Sequence, residues 1–415
     1  MGDPILTGRG RRAGADVVVV GGGPAGAAAA AAARAEGLDV ELVCARRGLR
    51  PAPGESLPPG TDRLLDDIFG ASMLSGRQHR ASFGNRSAWG TADVEATDFV
   101  DNPFGHGWHV DRPALDESLH DRLRTVGVRV RLGARVVGHA WTGDQWRIAL
   151  HEHAQTSIRA RAIVDATGRG ARIARSQGAR RRRLDRLVAA YWMLSVADAQ
   201  DGDCTTLVEA VPDGWWYTTP VPGHRRVVAF LTDSDLMPPR AARTARDWHE
   251  RLAQARHIRD RLASNGCRLH SRPPMLDAGV AHLDQPAGCG WVAAGDAAVS
   301  FDPLSSQGML TSFVMGQGAG HALAAMLTRG DQQPLIRWGA EYARLLEAHL
   351  RLQAAYYALE CRWPNAPFWA RRRNGSSSSD VTSPPSSNTH DAAKSGGCPA
   401  PRFERRADPC ERLDL

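Results

Sequence analysis

Residues 15–26 read ADVVVVGGGPAG, and the fold turns on that stretch. Its first half is a short β-branched run of the kind buried on both faces of a parallel sheet. GGGPAG (21–26) then separates it from GAAAAAAARAEG (26–37), a helical pattern that stops at Gly37. A glycine-rich turn between strand and helix is the fingerprint of a dinucleotide site. Gly21 permits the tight turn, Gly23 lets the backbone approach a pyrophosphate, and Gly26 lets helix and strand pack closely. Pro24 and Ala25 open the helix, whose free N–H groups and partial positive charge suit a phosphate.

The next strand is DVELVCA (39–45). An acidic residue for a ribose is expected roughly 20 residues beyond the glycines, but Cys44 stands there. Glu41 lies three positions earlier and so points to the other face of the strand. Either Cys44 sits against the ribose, with a neighbour such as Arg46 helping, or an adenosine is held loosely. Downstream, TGD (142–144), PDG (212–214) and VPGH (221–224) sit between alternating apolar runs and predict hairpins. These antiparallel pieces point to a second sheet inserted into the first domain. The expected fold is α/β: a Rossmann-like domain with an inserted antiparallel sheet and C-terminal helices. Residues 1–15 read as a flexible start, 16–185 and 276–330 as the nucleotide domain, and 186–275 as the inserted sheet with help from 76–105. The span 331–372 reads as helical, and 373–415, rich in Ser, Pro and Gly, as a disordered tail.

Composition narrows the function. The chain has 415 residues, 42% of them hydrophobic, and a formal charge of +7. Its arginines are scattered rather than gathered among aromatics on one face, which argues against nucleic acid. The densest run, Arg180–Arg183, reads as a solvated loop. Mean hydropathy is −0.36, and no long uncharged apolar run predicts a membrane span. The N-terminus lacks the apolar core of a secretory leader. The 7 cysteines are widely spaced, with no paired Cys/His cluster. That predicts neither a disulfide framework nor a metal site, and a reducing cytoplasm is the simplest home.

Two further motifs follow the first. IVDATGRGAR (163–172) runs an apolar strand into Asp165 and Gly168. GWVAAGDAAVSFDPLSSQGM (290–309) ends a strand at Gly295-Asp296, and Pro303 and Gly308 bracket a helix start. Asp296 is placed to accept from a sugar-like hydroxyl. The N–H groups around Ser306, Gln307, Gly308 and Met309 are placed to stabilise negative charge on a flavin's carbonyl edge.

GGGPAG, DATG and GD…DP…G in this order resemble the FAD-dependent superfamily of aromatic hydroxylases, flavin-dependent halogenases and prenyl-chain reductases. GESLPP (54–59) and GWHVDRPALDESL (107–119) strengthen the resemblance. It implies that the first lines the passage between flavin and substrate, and that Arg112 approaches FAD. The halogenases of this group use a lysine to hand on an oxidised halogen, yet Lys394, in the tail, is the only lysine of this chain. The equivalent segment reads ASFGNRSAWG (81–90), and the halogenase run W-x-W-x-I-P is altered to Trp215, Tyr217, Thr219 and Pro220. Arginine cannot stand in as a free amine.

FGNRSAWG, NPFGHGWHVDR (102–112), GWWYTTP (214–220) and ALECRWPNAPFW (358–369) resemble the flavoprotein monooxygenases that mature tryptophylquinone cofactors. These include the ones serving quinohemoprotein amine dehydrogenase and the lysine and glycine oxidases. The resemblance implies hydroxylation of a tryptophan within another polypeptide through a flavin C4a-hydroperoxide, with no metal. The runners-up are a halogenase or small-molecule aromatic hydroxylase, and a flavin-fold protein that only binds a partner. Candidates for proton handling are Glu55, His106 and His109, with Ser56, Trp89, Trp215 and Tyr217 facing the substrate. One glycine-rich fingerprint means no separate NADPH domain, so electrons come from NAD(P)H directly or from a partner flavin reductase.

Overall fold

The structure, a computed structural model, describes residues 14–45, 54–74, 78–152, 155–196, 202–239, 244–270 and 273–374. Arg46 and the tail beyond 374 lie outside them.

The strand Ala15–Val20 forms the middle of an 8-stranded sheet. Val40–Cys44 lies parallel on one side of it and Gln155–Asp165 on the other. Trp291–Ala293 and Arg129–Leu132 extend this parallel core outward. Val17, Val18 and Val19 are fully buried, as a strand covered on both faces requires. The helix Pro24–Ala35 covers one face, and Gly37 follows its end at a φ of +84°. Against this helix packs a second, Gly308–Arg329. A Cβ on Gly316 would lie 2.1 Å from the Ala25 carbonyl oxygen, so glycine there sets how closely the two backbones approach.

The three hairpins form where the turn residues predicted them. Trp141 pairs with Trp146, Val211 with Gly214, and Val221 with Arg225. The last two belong to a 7-stranded sheet that also takes up Gly84–Ala88, Glu95–Asp98, Leu187–Ser195 and Met275–Asp277. Side-chain alternation along Gly214–Val221 divides its work. Trp216 packs with Trp192, Phe230 and Trp248 under the helices Ala245–Leu252 and Arg256–Ser264. Trp215 joins Tyr357, Phe368 and Trp369 on the opposite face, where the C-terminal helices Gln333–Leu359 and Pro367–Asn374 close over the sheet. Among the described residues no helix is long and apolar enough to cross a membrane, and no group of His, Cys, Asp and Glu is placed to hold a metal.

Candidate functional site

A cavity of 1520 Å³ runs between the two sheets. Ordinary ligand pockets span about 300–1,000 Å³, so this one has room for a dinucleotide and a second molecule. One end is built by the glycine turn. Gly21 has a φ of +120°, and a Cβ there would fall 2.0 Å from the Ala166 oxygen; a Cβ on Gly26 would fall 1.9 Å from the oxygen of Gly21. These two glycines serve the fold. Gly23 is different: a Cβ on it would meet only the Arg112 guanidinium, 3.7 Å away. The open cradle at Gly23 lies beside the start of Pro24–Ala35, whose terminal N–H groups make an anion site. Across the cavity Gly308 also has nothing within 4 Å of a Cβ and opens a second helix toward the space. This arrangement fits a bound FAD.

Of the residues foreseen for the cofactor, Gly21, Gly23, Pro24, Ala25, Cys44, Arg112, Gly168, Asp296, Pro303, Ser306, Gly308 and Met309 border the cavity. Gly26, Asp165, Gly295 and Gln307 are not among its lining residues. Asp165 is turned inward because the turn after its strand needs it. Its carboxylate accepts from the Thr167 N–H and hydroxyl at 3.0 and 2.7 Å and from the Ala174 N–H at 2.8 Å. Glu41 faces away, as expected from strand alternation, and is buried in ion pairs with Arg129 (3.1 Å) and Arg131. Asp296 exposes 41% of its side chain, and that surface faces the cavity. Enclosure pushes its carboxyl up, against the pull of Arg169, Arg181 and Arg112.

The other end carries buried polar groups. The Glu55 carboxyl is buried and accepts from the Tyr191 hydroxyl at 2.6 Å. Burial pushes it above the usual carboxylate range, with the Tyr191 hydrogen bond and the Arg112 charge opposing. Ser56, Trp215 and Tyr217 border the same space. His106, His109 and Trp89 do not. The Trp89 indole lies between Trp215, Tyr357 and Trp369 and donates to the Tyr356 oxygen at 2.8 Å. It is part of the seal between sheet and C-terminal helices. His106 packs against Phe83 and Trp108. His109 lies fully buried behind Ser56, because strand pairing sets the two residues opposite each other. Burial holds its imidazole down at about 4, so it is neutral at pH 7.

Sequence reasoning did not identify four residues that the fold brings to the site. Tyr191 holds Glu55, and Arg169 lies 3.7 Å from the Asp296 carboxylate. His120 Nε2 donates to the Gly22 carbonyl at 2.7 Å and fixes the glycine turn. Asp302 is buried at the cavity wall, where it accepts from the Tyr357 hydroxyl at 2.9 Å and the Gln353 amide at 2.8 Å. Arg169 and Asp302 alone had a local signal, since they lie within the second and third motifs.

Residues 16–185 match the family described as FAD dependent oxidoreductase. LodB of Marinomonas mediterranea, assigned as an FAD-dependent oxidoreductase, is 26% identical over 306 residues, covering 73% of this chain and 80% of its own. Among solved structures, the peptidyl tryptophan dihydroxylase QhpG superposes with a TM-score of 0.71 at 24% identity, covering 87% of this chain and 79% of that one. The myxobacterial chondrochloren halogenase CndH gives a TM-score of 0.73 at 23% identity, over 86% of this chain and 85% of its own. The flavin-dependent halogenase CmlS gives 0.75 at 22% identity, over 86% and 67%. These structures establish the shared fold, which hydroxylase and halogenase alike adopt. With its glycine turn and its open helix termini, the segment 16–185 carries the features of the FAD-dependent oxidoreductases whose family it matches.

Proposed function

We propose that this chain is an FAD-dependent monooxygenase that hydroxylates an electron-rich aromatic, the side chain of a tryptophan in a partner polypeptide. The observation that carries the choice is the absence of lysine. Among the described residues there is no ammonium group to pass a halogen from cofactor to substrate, because the single lysine is Lys394. The likeness to QhpG, a peptidyl tryptophan dihydroxylase essential for tryptophylquinone biogenesis, supports the substrate class. The wide spacing of the 7 cysteines along the sequence supports a reducing, cytoplasmic setting.

FAD, when bound and reduced by NAD(P)H or a partner reductase, supplies activated oxygen at the cavity. The chain's own residues do the rest. The backbone at Gly23 and the first turn of Pro24–Ala35 bind the pyrophosphate, Arg112 adds charge beside it, and Asp296 accepts from the ribityl hydroxyls. Helix Gly308–Arg329 presents its N-terminal N–H groups to the flavin's carbonyl edge. Trp215, Ala229 and Leu231 make the wall apolar, which excludes water from the oxygen transfer. Glu55 holds or releases a proton at its carboxyl, poised by burial and the Tyr191 hydrogen bond.

The test is oxygen consumption by the reduced FAD-loaded protein with and without a tryptophan-bearing polypeptide, followed by peptide mapping. Oxygen mass on tryptophan supports the reading. Oxygen consumed with only hydrogen peroxide released, whatever polypeptide is offered, would refute it.

A further inference from the structure

The strand Gly214–Val221 departs from the halogenase run W-x-W-x-I-P at two positions, and both departures add a hydroxyl: Tyr217 and Thr219. The fold brings the two hydroxyls into one network. Tyr217 lies 3.3 Å from Ser56 Oγ, which is 3.5 Å from the Thr206 hydroxyl. Thr206 lies 3.2 Å from Thr219, and Thr219 lies 3.1 Å from His109 Nδ1. Ser56 is also 3.3 Å from that nitrogen. The far ring nitrogen, Nε2, is 3.4 Å from the Cys204 carbonyl oxygen. A carbonyl only accepts, so Nε2 carries the proton and Nδ1 is an acceptor.

That acceptor sets the direction of the network. The arrangement that gives every hydroxyl proton a partner runs from Tyr217 to Ser56, Thr206, Thr219 and His109 Nδ1. A direct branch runs from Ser56 to the same nitrogen. In both, Tyr217 donates its only proton inward. Its lone pairs are then left unused, and Tyr217 borders the cavity beside Trp215, Ala229 and Leu231.

We propose that Tyr217, aligned by this network, is a specificity-determining residue whose phenolic oxygen accepts a hydrogen bond from the N–H of the bound aromatic. The cavity therefore takes an indole in preference to an aromatic ring without an N–H. This rests on the reading of the substrate as a tryptophan side chain. An indole N–H buried against apolar wall without an acceptor loses its hydrogen bonds to water uncompensated, so one acceptor at the right point discriminates strongly. His109 acts through the hydroxyls as a positioning residue and touches no substrate. It is buried and faces Arg80, Asp203 and Arg226.

The experiment compares binding of 3-methylindole and 1,3-dimethylindole to the FAD-loaded protein by equilibrium dialysis. The wild type is expected to prefer the N–H compound by about tenfold or more, the worth of one hydrogen bond. Y217F is expected to bring the ratio close to one. Should Y217F fail to fold, S56A/T219V serves, because it removes both hydroxyls that reach Tyr217, releases the phenolic proton toward the cavity and lowers the ratio. The ¹⁵N spectrum of histidine-labelled protein is expected to show His109 protonated at Nε2, with a changed Nδ1 signal in T219V. A wild type that binds both compounds equally, an unchanged ratio in Y217F or S56A/T219V, or a His109 protonated at Nδ1 overturns the proposal. Failure of the tryptophan reading is distinguishable: the N–H preference would persist in a protein that adds no oxygen to tryptophan. The reverse, a working tryptophan oxygenase without the preference, would remove only this inference.

Discussion

Alanine at Gly23 and alanine at Gly26 stand only three residues apart, yet they should fail in opposite ways. At Gly26 the new methyl would sit 1.9 Å from the Gly21 oxygen and 3.2 Å from the Ala166 Cβ. Strand and helix would have to part, at a cost of about 3 kcal/mol or more. At Gly23 the same methyl meets nothing closer than the Arg112 guanidinium at 3.7 Å, and the backbone is extended with a φ of −81°. Apo stability should therefore change by no more than about 0.5 kcal/mol. The methyl would occupy the cradle that a pyrophosphate must enter. Loss of two backbone hydrogen bonds to a charged phosphate, at about 1.5 kcal/mol each, gives a ~100-fold loss of FAD affinity. Urea melts of apo protein and flavin-fluorescence titration separate the two effects. A G23A protein that binds FAD within about twofold of wild type while G26A melts normally would mean that the cofactor does not lie along this turn.

Three other perturbations have defined outcomes. His109, held at about 4 by burial, stays neutral in the fold while the unfolded chain takes up a proton below about 6.5. Its contribution is present above pH 6.5 and is lost as pH falls toward 4, a span worth about 3 kcal/mol. Urea melts at pH 7 and 5 should show a shallower loss in H109Q than in wild type. Y191F removes the hydrogen bond that holds the Glu55 carboxyl down, so any limb of the pH–rate profile that reports Glu55 should move to higher pH. G316V would drive side-chain atoms into the Ala25 backbone, 2.1 Å from a Cβ; the two helices should separate, with a loss of about 3 kcal/mol or more seen as a lowered melting temperature.

Much of the fold was legible because its signals are local. A β-branched run ending in glycines announces strand, turn and helix within a dozen residues, and the hairpin turns carry their own chemistry. The cofactor half of the site follows from the same motifs, since glycine turns and helix starts place backbone groups directly. The reaction half was less legible because its partners are distant in sequence. Glu55 and Tyr191 are separated by 136 positions, and Ser56 and Thr206 by 150. No local pattern distinguishes a histidine behind the wall from one on it, so His106 and His109 read alike with the cavity-facing residues. Asp165 belongs to a motif that suggests ligand contact, but its own turn claims both carboxylate oxygens. Trp89 sits in a segment matching the substrate side, yet the C-terminal helices, far along the chain, decide that it packs as a seal.

The central claim, oxygen transfer to tryptophan in a core without lysine, is tested most directly by intact mass. The FAD-loaded protein is reduced and exposed to air with chloride and a tryptophan-bearing polypeptide. The expected product gains one or two oxygen masses that map to tryptophan, and gains none when oxygen is excluded. A product carrying chlorine, with its isotope doublet, would contradict the account, because some other residue would then be doing the work of the missing lysine.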